Sequence, residues 1–173
     1  MRLFIAINLN EETKNKLLSL CDELRNSSVQ GKFSLPENLH LTLAFLGECD
    51  NKQTADIKAV MDSTVFQQFE LIMDCIGRFK RNGGDLWWAG VRSNVILLEL
   101  QRTLTTGLCQ KGFALDQRKY SPHITLGREV TTDMNPRQIP QFAETVLSID
   151  LMKSERIKGI LTYTAIYTKK AST

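Results

Sequence analysis

The sequence predicts an α+β fold: two sheet-and-helix lobes around a central cleft, in a single two-lobed domain spanning residues 1–173. Three observations carry that expectation. Apolar residues recur at helical spacing in some segments and alternate with polar residues in others. The order strand, helix, strand occurs early in the chain and again late. Each time the closing strand opens with the same tetrapeptide, His-x-Thr-Leu, in the copies His40-Leu41-Thr42-Leu43 and His123-Ile124-Thr125-Leu126. Such an order suggests a weak internal duplication with the two sheets facing one another.

The elements follow in turn. Leu3 to Leu9 reads as a first strand, and Asn10 as the cap of a helix with Glu11 and Glu12 in its positive first turn. That helix runs to about Asn26 with Leu17, Leu20, Cys21 and Leu24 on one stripe. Ser27 to Lys32 reads as a polar connection, and Leu39 to Leu46 as the first histidine strand, ended by Gly47. A second helix is expected over Lys52 to Thr64, and a strand over Phe69 to Phe79. The turn Lys80-Arg81-Asn82-Gly83-Gly84-Asp85 leads into a short strand, Leu86 to Val91. A third helix follows from Asn94 to about Lys111, through Leu97, Leu98, Leu100, Leu104 and Leu108, with Gly112 to end it. The second histidine strand is expected over His123 to Arg128. Pro136 and Pro140 bracket a loop or short helix. Val146 to Met152 and Ile157 to Thr168 read as closing strands turning near Glu155-Arg156, before a frayed tail from Lys169.

Composition narrows the class. A hydrophobic content of 42% and a charged content of 24% suit a soluble globular protein. The formal net charge of +3 permits an anionic ligand, and the lack of a long basic run argues against a general nucleic-acid coating protein. Cys21, Cys49, Cys75 and Cys109 are widely spaced, which fits free thiols in a reducing cytoplasm rather than a zinc site. No apolar stretch is long enough to span a membrane. No metal and no cofactor is expected, and a monomer is.

The chain spends its only two histidines on the repeated tetrapeptide. On a strand, His40 and Thr42 point to one face and Leu41 and Leu43 to the other; His123 and Thr125 part from Ile124 and Leu126 in the same way. Two such strands side by side present two imidazoles and two hydroxyls to one cleft. An imidazole titrates near neutral pH, so a pair flanking a scissile bond can give one proton and take another. The threonine hydroxyls can donate to phosphoryl oxygens as charge develops there. Arg128 lies at an odd offset from His123, so a regular strand would turn it away, whereas a bulge at Gly127 would bring it back. Arg118, Lys119 and Tyr120, with Lys80 and Arg81, can guide an anionic backbone into the cleft. Trp87 and Trp88 alternate faces, so one is expected in the core and the other free to stack.

The segments Pro36 to Gly47 and Tyr120 to Arg128 closely resemble the paired motifs of the 2H phosphoesterases, and among these the RNA 2′,3′-cyclic phosphodiesterases, also called 2′-5′ RNA ligases. The opening Met1 to Ile7 and the segment Trp88-Ala89-Gly90-Val91 resemble the same family, so the likeness runs to about Arg128. It implies a two-lobed fold and metal-independent hydrolysis of an RNA or nucleoside 2′,3′-cyclic phosphate to a 2′-phosphate, with reversible 2′-5′ ligation as a related activity. It implies His40 as proton donor and His123 as proton acceptor, with Thr42, Thr125 and Arg128 on the phosphate and Tyr120 in the substrate site. The sequence departs from the family at Phe33-Ser34, where Arg-Trp is common, though Phe33 can still stack on a base; Gly127 stands where Ala is more usual. A non-catalytic RNA-end binding protein, and a related phosphodiesterase acting on another oligonucleotide or small cyclic nucleotide, remain alternatives.

Overall fold

The computed structural model describes residues 1–173. Two antiparallel sheets form its frame. The first has the order β3-β1-β8-β9, built from β1 (Arg2–Asn8), β3 (His40–Glu48), β8 (Ser148–Ile157) and β9 (Ile160–Lys170). The second has the order β2-β6-β5-β4-β7, built from β2 (Ser28–Phe33), β4 (Phe69–Phe79), β5 (Asp85–Val91), β6 (His123–Thr132) and β7 (Arg137–Val146). Three helices complete it: α1 (Glu11–Asn26), α2 (Asn51–Ser63) and α3 (Val95–Gln110). A short 3-10 turn, Pro36–Asn38, precedes β3.

Local chemistry starts each helix where the sequence places it. The Asn10 side chain accepts from the Thr13 amide at 2.9 Å. Asp50 and Gln53 form a reciprocal capping box on α2, and Asn94 accepts from the Leu97 amide at 3.1 Å on α3. The buried stripes are Thr13, Leu17, Cys21 and Leu24 on α1 and Leu97, Leu100, Leu104 and Leu108 on α3, with Leu98 half outside at 40% exposure.

The helices are exchanged between the sheets. α1 leaves β1 of the first sheet and packs on β2, β6 and β7 of the second. α3 leaves β5 of the second sheet and packs on β3 of the first, while α2 packs on α3 and β9. One continuous apolar cluster of 33 buried residues results, reaching from Leu3, Ile5 and Leu41 to Trp87, Ile124 and Leu126.

Several expectations are corrected. Ser28–Phe33 is a strand, not a connection: it pairs with β6 on one side only, which lets a polar, glycine-containing segment serve as an edge. Residues 137–146 form β7 rather than a loop or short helix, and Pro140 is tolerated because β7 is also an edge strand. β6 continues past Arg128 to Thr132. The last hairpin turns at Lys158-Gly159, both with positive φ, not at Glu155-Arg156. The tail is held: the Ala171 amide donates to the Leu147 carbonyl and the Ser172 amide to that of Phe66, each at 2.8 Å. As the duplicated order suggests, the two histidine strands lie in different sheets, β3 at an edge and β6 inside, and they meet where the sheets meet.

Candidate active site

Each motif strand carries a bulge at the same point. Along β3 the register passes from Ala6 opposite Thr42 to Ile5 opposite Ala44, so Leu43 is the extra residue. Along β6 it passes from Trp88 opposite Thr125 to Trp87 opposite Gly127, so Leu126 is the extra residue. Both leucines stay buried in the core. A bulge shifts the alternation by one, so the residue two beyond returns to the face of the histidine. That residue is Arg128 in β6 and Phe45 in β3.

A bulge also needs its carbonyls satisfied, and both are met by a side-chain hydroxyl. Tyr120 Oη donates to the Thr42 carbonyl at 2.8 Å, and Ser34 Oγ donates to the Thr125 carbonyl at 2.8 Å. The Tyr120 hydroxyl is thus engaged by the protein, and burial pushes its pKa up. Tyr120 braces the site rather than offering its hydroxyl to a ligand.

The two imidazoles are held alike. Nδ1 of His40 lies 2.7 Å from the Asn38 carbonyl, and Nδ1 of His123 lies 2.7 Å from the Ser121 carbonyl. A carbonyl only accepts, so each Nδ1 carries the proton and each Nε2 is the nitrogen left to titrate. Nε2 of His40 meets Thr42 Oγ1 at 2.9 Å. Aromatic rings flank both imidazoles. Phe4 and Tyr163 stand 4.9 and 5.3 Å from the His40 ring, and Phe79 and Trp88 stand 5.1 and 6.4 Å from that of His123.

Burial lowers the pKa of His40, opposed by the bond to the Asn38 carbonyl and reinforced by the charges of Arg128 and His123. Burial likewise lowers that of His123, opposed by Ser121 and reinforced by Arg128. Arg128 therefore stands within electrostatic reach of both rings. Its neighbour Glu129 is engaged by Lys32 at 3.0 Å, which leaves the Arg128 guanidinium free for an anion.

The remaining sequence candidates divide. Trp87 is fully buried in the core. Trp88 lies flat on the cleft face, so close to the backbone that a Cβ on Gly77 would come within 2.3 Å of its ring and one on Gly90 within 3.1 Å. Glycine at 77 is what lets the indole settle there, while a Cβ at Gly90 would first meet the Cys75 sulfur at 2.4 Å. Phe33 does not join the histidines: its ring packs on Gly31, Gly127 and Val130 under the Arg25 guanidinium, 5.1 Å away. Gly127 gives it room, since a Cβ there would meet Phe33 at 3.0 Å. Arg81, Arg118 and Lys119 line a groove of about 680 Å³ that also holds Thr42 and His123, whereas Lys80 is exposed outside it. Phe79, Tyr163 and Ser34 lie outside the motif segments, and their contacts with His123, His40 and the Thr125 carbonyl show their place; Phe45 lies within the first motif and its facing follows from the register. No three His, Cys, Asp or Glu side chains converge to hold a metal ion. No helix is long and apolar enough to cross a membrane.

The sequence pattern of the LigT-like phosphoesterases matches residues 7–87. The RNA 2′,3′-cyclic phosphodiesterase of Thermotoga maritima is 35% identical over 131 residues, 74% of this chain and 70% of that protein. The protein of the same name from Archaeoglobus fulgidus is 34% identical over 148 residues, 84% of this chain and 79% of that one. The crystal structure of E. coli LigT complexed with 3′-AMP superposes with a TM-score of 0.90 at 25% identity, covering 99% of this chain and 98% of that one. A crystal structure described as a phosphoesterase gives 0.87 at 26%, with the same coverage. With its duplicated histidine strands set in facing sheets, the chain belongs to the LigT-like phosphoesterase family of the 2H superfamily.

Proposed function

We propose that this protein is a metal-independent RNA 2′,3′-cyclic phosphodiesterase that opens the cyclic phosphate to a 2′-phosphate. The observation that supports it most directly is the matched pair of imidazoles, each fixed through Nδ1 to a backbone carbonyl, with the Arg128 charge felt by both. Relatives named for this activity, at up to 35% identity, support the same reading.

The chemistry balances with these groups alone. Water attacks phosphorus and gives its proton to Nε2 of His123, while the bond from phosphorus to the 3′-oxygen breaks. Nε2–H of His40 protonates that leaving oxygen, and the phosphate stays on the 2′-oxygen. His40 ends neutral and His123 protonated, and exchange with solvent resets both. Thr42 and Thr125 donate to the non-bridging oxygens, and Arg128 offsets the charge that gathers on them in the transition state. A 5′-hydroxyl in place of water would yield a 2′-5′ linkage by the same steps. A monomer working in the cytoplasm on RNA termini is the setting that fits this chemistry.

Purified protein is incubated in EDTA with a nucleoside 2′,3′-cyclic phosphate and with a short RNA ending in one, and the product is identified by phosphorus NMR. The expected product is the 2′-phosphate, with turnover reduced by about 10²-fold or more in His40→Ala and in His123→Ala. A 3′-phosphate would overturn the assignment of the histidines. Binding without turnover would point instead to an RNA-end binding protein.

A further inference from the structure

The two imidazoles are not held equally. His40 is fixed at both nitrogens, Nδ1 against the Asn38 carbonyl at 2.7 Å and Nε2 against Thr42 Oγ1 at 2.9 Å. His123 has a hydrogen bond at Nδ1 alone, to the Ser121 carbonyl. An imidazole held at one nitrogen can pivot about that bond and swing Nε2 out of line. A misplacement of about 1 Å at a reacting group can cost about 10²-fold in rate. Packing must therefore supply to His123 what Thr42 supplies to His40.

Two rings meet His123 there. Phe79 stands edge to face with it, 5.1 Å between centroids and 87° between planes, and Trp88 stands 6.4 Å away at 52°. The two rings brace each other at 5.4 Å, and the Arg81 guanidinium lies 5.5 Å from that of Phe79. The strand register leaves the place beside His123 without a side chain: its partner across β5 is Gly90, and the partner of Trp88 across β4 is Gly77. The indole covers Gly77 with Cη2, Cζ2 and Cζ3 and reaches Gly90 with Cζ3 and Cε3, beside the Cys75 sulfur. A phenyl ring at position 88 is shorter and leaves the space over Gly77 open.

Trp88 is placed to hold a protein ring rather than a ligand. Phe79 and His123 line the groove of about 680 Å³, and Trp88 does not. Its Nε1 is buried with no hydrogen-bond partner. An indole serving as a stacking platform would open its face to that groove.

We infer that Trp88 is a positioning residue: seated on Gly77 and reaching Gly90, it closes a corner with Phe79 that holds the His123 ring and aims Nε2 at the attacking water. What the imidazole does rests on the reaction proposed above; how it is held rests on packing alone.

The test uses the only two histidines of the chain, each the control for the other. Nitrogen-15 spectra of the imidazoles report which ring nitrogen carries the proton and need no turnover. In Trp88→Phe the His123 signals should move from a single Nδ1–H tautomer toward the average of a pivoting ring, while those of His40 stay in place. With a nucleoside 2′,3′-cyclic phosphate, kcat should fall about tenfold or more and KM change less than about twofold. Gly77→Ala should act in the same direction by lifting the indole. The double variant Gly77→Ala/Trp88→Phe should recover part of the loss, because the new Cβ fills the space that the phenyl ring leaves. Trp88→Phe keeps an aromatic ring on an unchanged backbone, so the test stands even where Gly77→Ala does not fold. A rise in KM at full kcat would overturn the inference and make Trp88 a stacking surface for substrate. An unchanged His123 tautomer in Trp88→Phe would show that Ser121 alone holds the ring, and equal changes at both histidines would show a general loosening; either result overturns it. Absence of hydrolysis in the parent chain would overturn the reaction, and the nitrogen spectra would still decide whether Trp88 holds the ring.

Discussion

The Tyr120 hydroxyl donates across the cleft to the Thr42 carbonyl at 2.8 Å, at the point where a bulge takes that carbonyl out of the regular ladder. Ser34 does the same for Thr125 in the other sheet. Two residues of unlike size, from unlike places in the chain, solve one backbone problem that the duplicated motif creates twice.

Removing either hydroxyl leaves a partly buried carbonyl unpaired, which costs about 1–3 kcal/mol. Tyr120→Phe and Ser34→Ala should each lower stability by an amount in that range, read from urea denaturation at constant m. The strands are separate, so the double variant should lose close to the sum of the two. Each single variant should also lower kcat, because the bulge aims the following residues into the cleft. Full kcat with reduced stability would show that the bulges hold their shape without the hydroxyls.

Arg128 lowers the proton affinity of both histidines, so its removal must raise both. In Arg128→Ala the acid and alkaline limbs of the kcat/KM profile should both move to higher pH, while kcat/KM itself falls about 10- to 100-fold for the lost charged contact. The limbs belong to the coupled pair rather than to either ring. Arg128→Lys should restore the position of the profile and only part of the rate, because an ammonium cannot make the bidentate contact. A profile that stays in place in Arg128→Ala would place the guanidinium away from the rings.

The same depressed pKa values link folding to pH. Both folded values lie below the unperturbed 6.5, so between the two the unfolded chain binds the protons first. Their contribution is therefore complete above about pH 6.5 and is lost as pH falls through the folded values. Each ring can remove at most about 1.4 kcal/mol per pH unit in that window. Denaturation at pH 7.5 and 5.5 should show a smaller drop for His40→Gln/His123→Gln than for the parent chain. An equal drop would assign the acid sensitivity to other groups.

Asn38 serves His40 twice. Its carbonyl holds Nδ1, and its side-chain amide donates to the Leu161 carbonyl at 3.0 Å, tying the β8–β9 hairpin to the turn before β3. Tyr163 on that hairpin stands against the imidazole. Asn38→Ala keeps the carbonyl and cuts the tie. Hydrogen exchange should quicken at residues 157–161, and kcat should fall while KM changes less. Unchanged exchange there would show that the hairpin is held by its other contacts.

Much of this arrangement is legible in the sequence because it follows from short-range rules. The first helix starts behind the Asn10 cap and the third at Asn94, as expected, the second starts at Asn51, one residue before the expected Lys52, and the alternation in His-x-Thr-Leu fixes which residues face the cleft. The two edge strands of the second sheet escape because their signals are those of loops: Gly31 and polar neighbours in β2, Pro140 in β7. Arg128 sits on a register that counts one residue twice, and alternation alone points it the wrong way. Phe33 looks like a stacking residue by its proximity to the motif, yet its ring fills the space that Gly31 and Gly127 leave empty. Ser34 and Tyr163 act through distant partners, which no local pattern records.

The exchange of α1 and α3 between the sheets bears on whether the chain can be divided. A cut in the segment between α2 and β4 leaves β8 and β9 of the first sheet on the second fragment and β2 of the second sheet on the first. Neither fragment would own a whole sheet, and each would hold one histidine. Expressed apart, the pieces should stay unfolded; mixed, they should assemble by complementation, and each cleft so formed would require one copy of both.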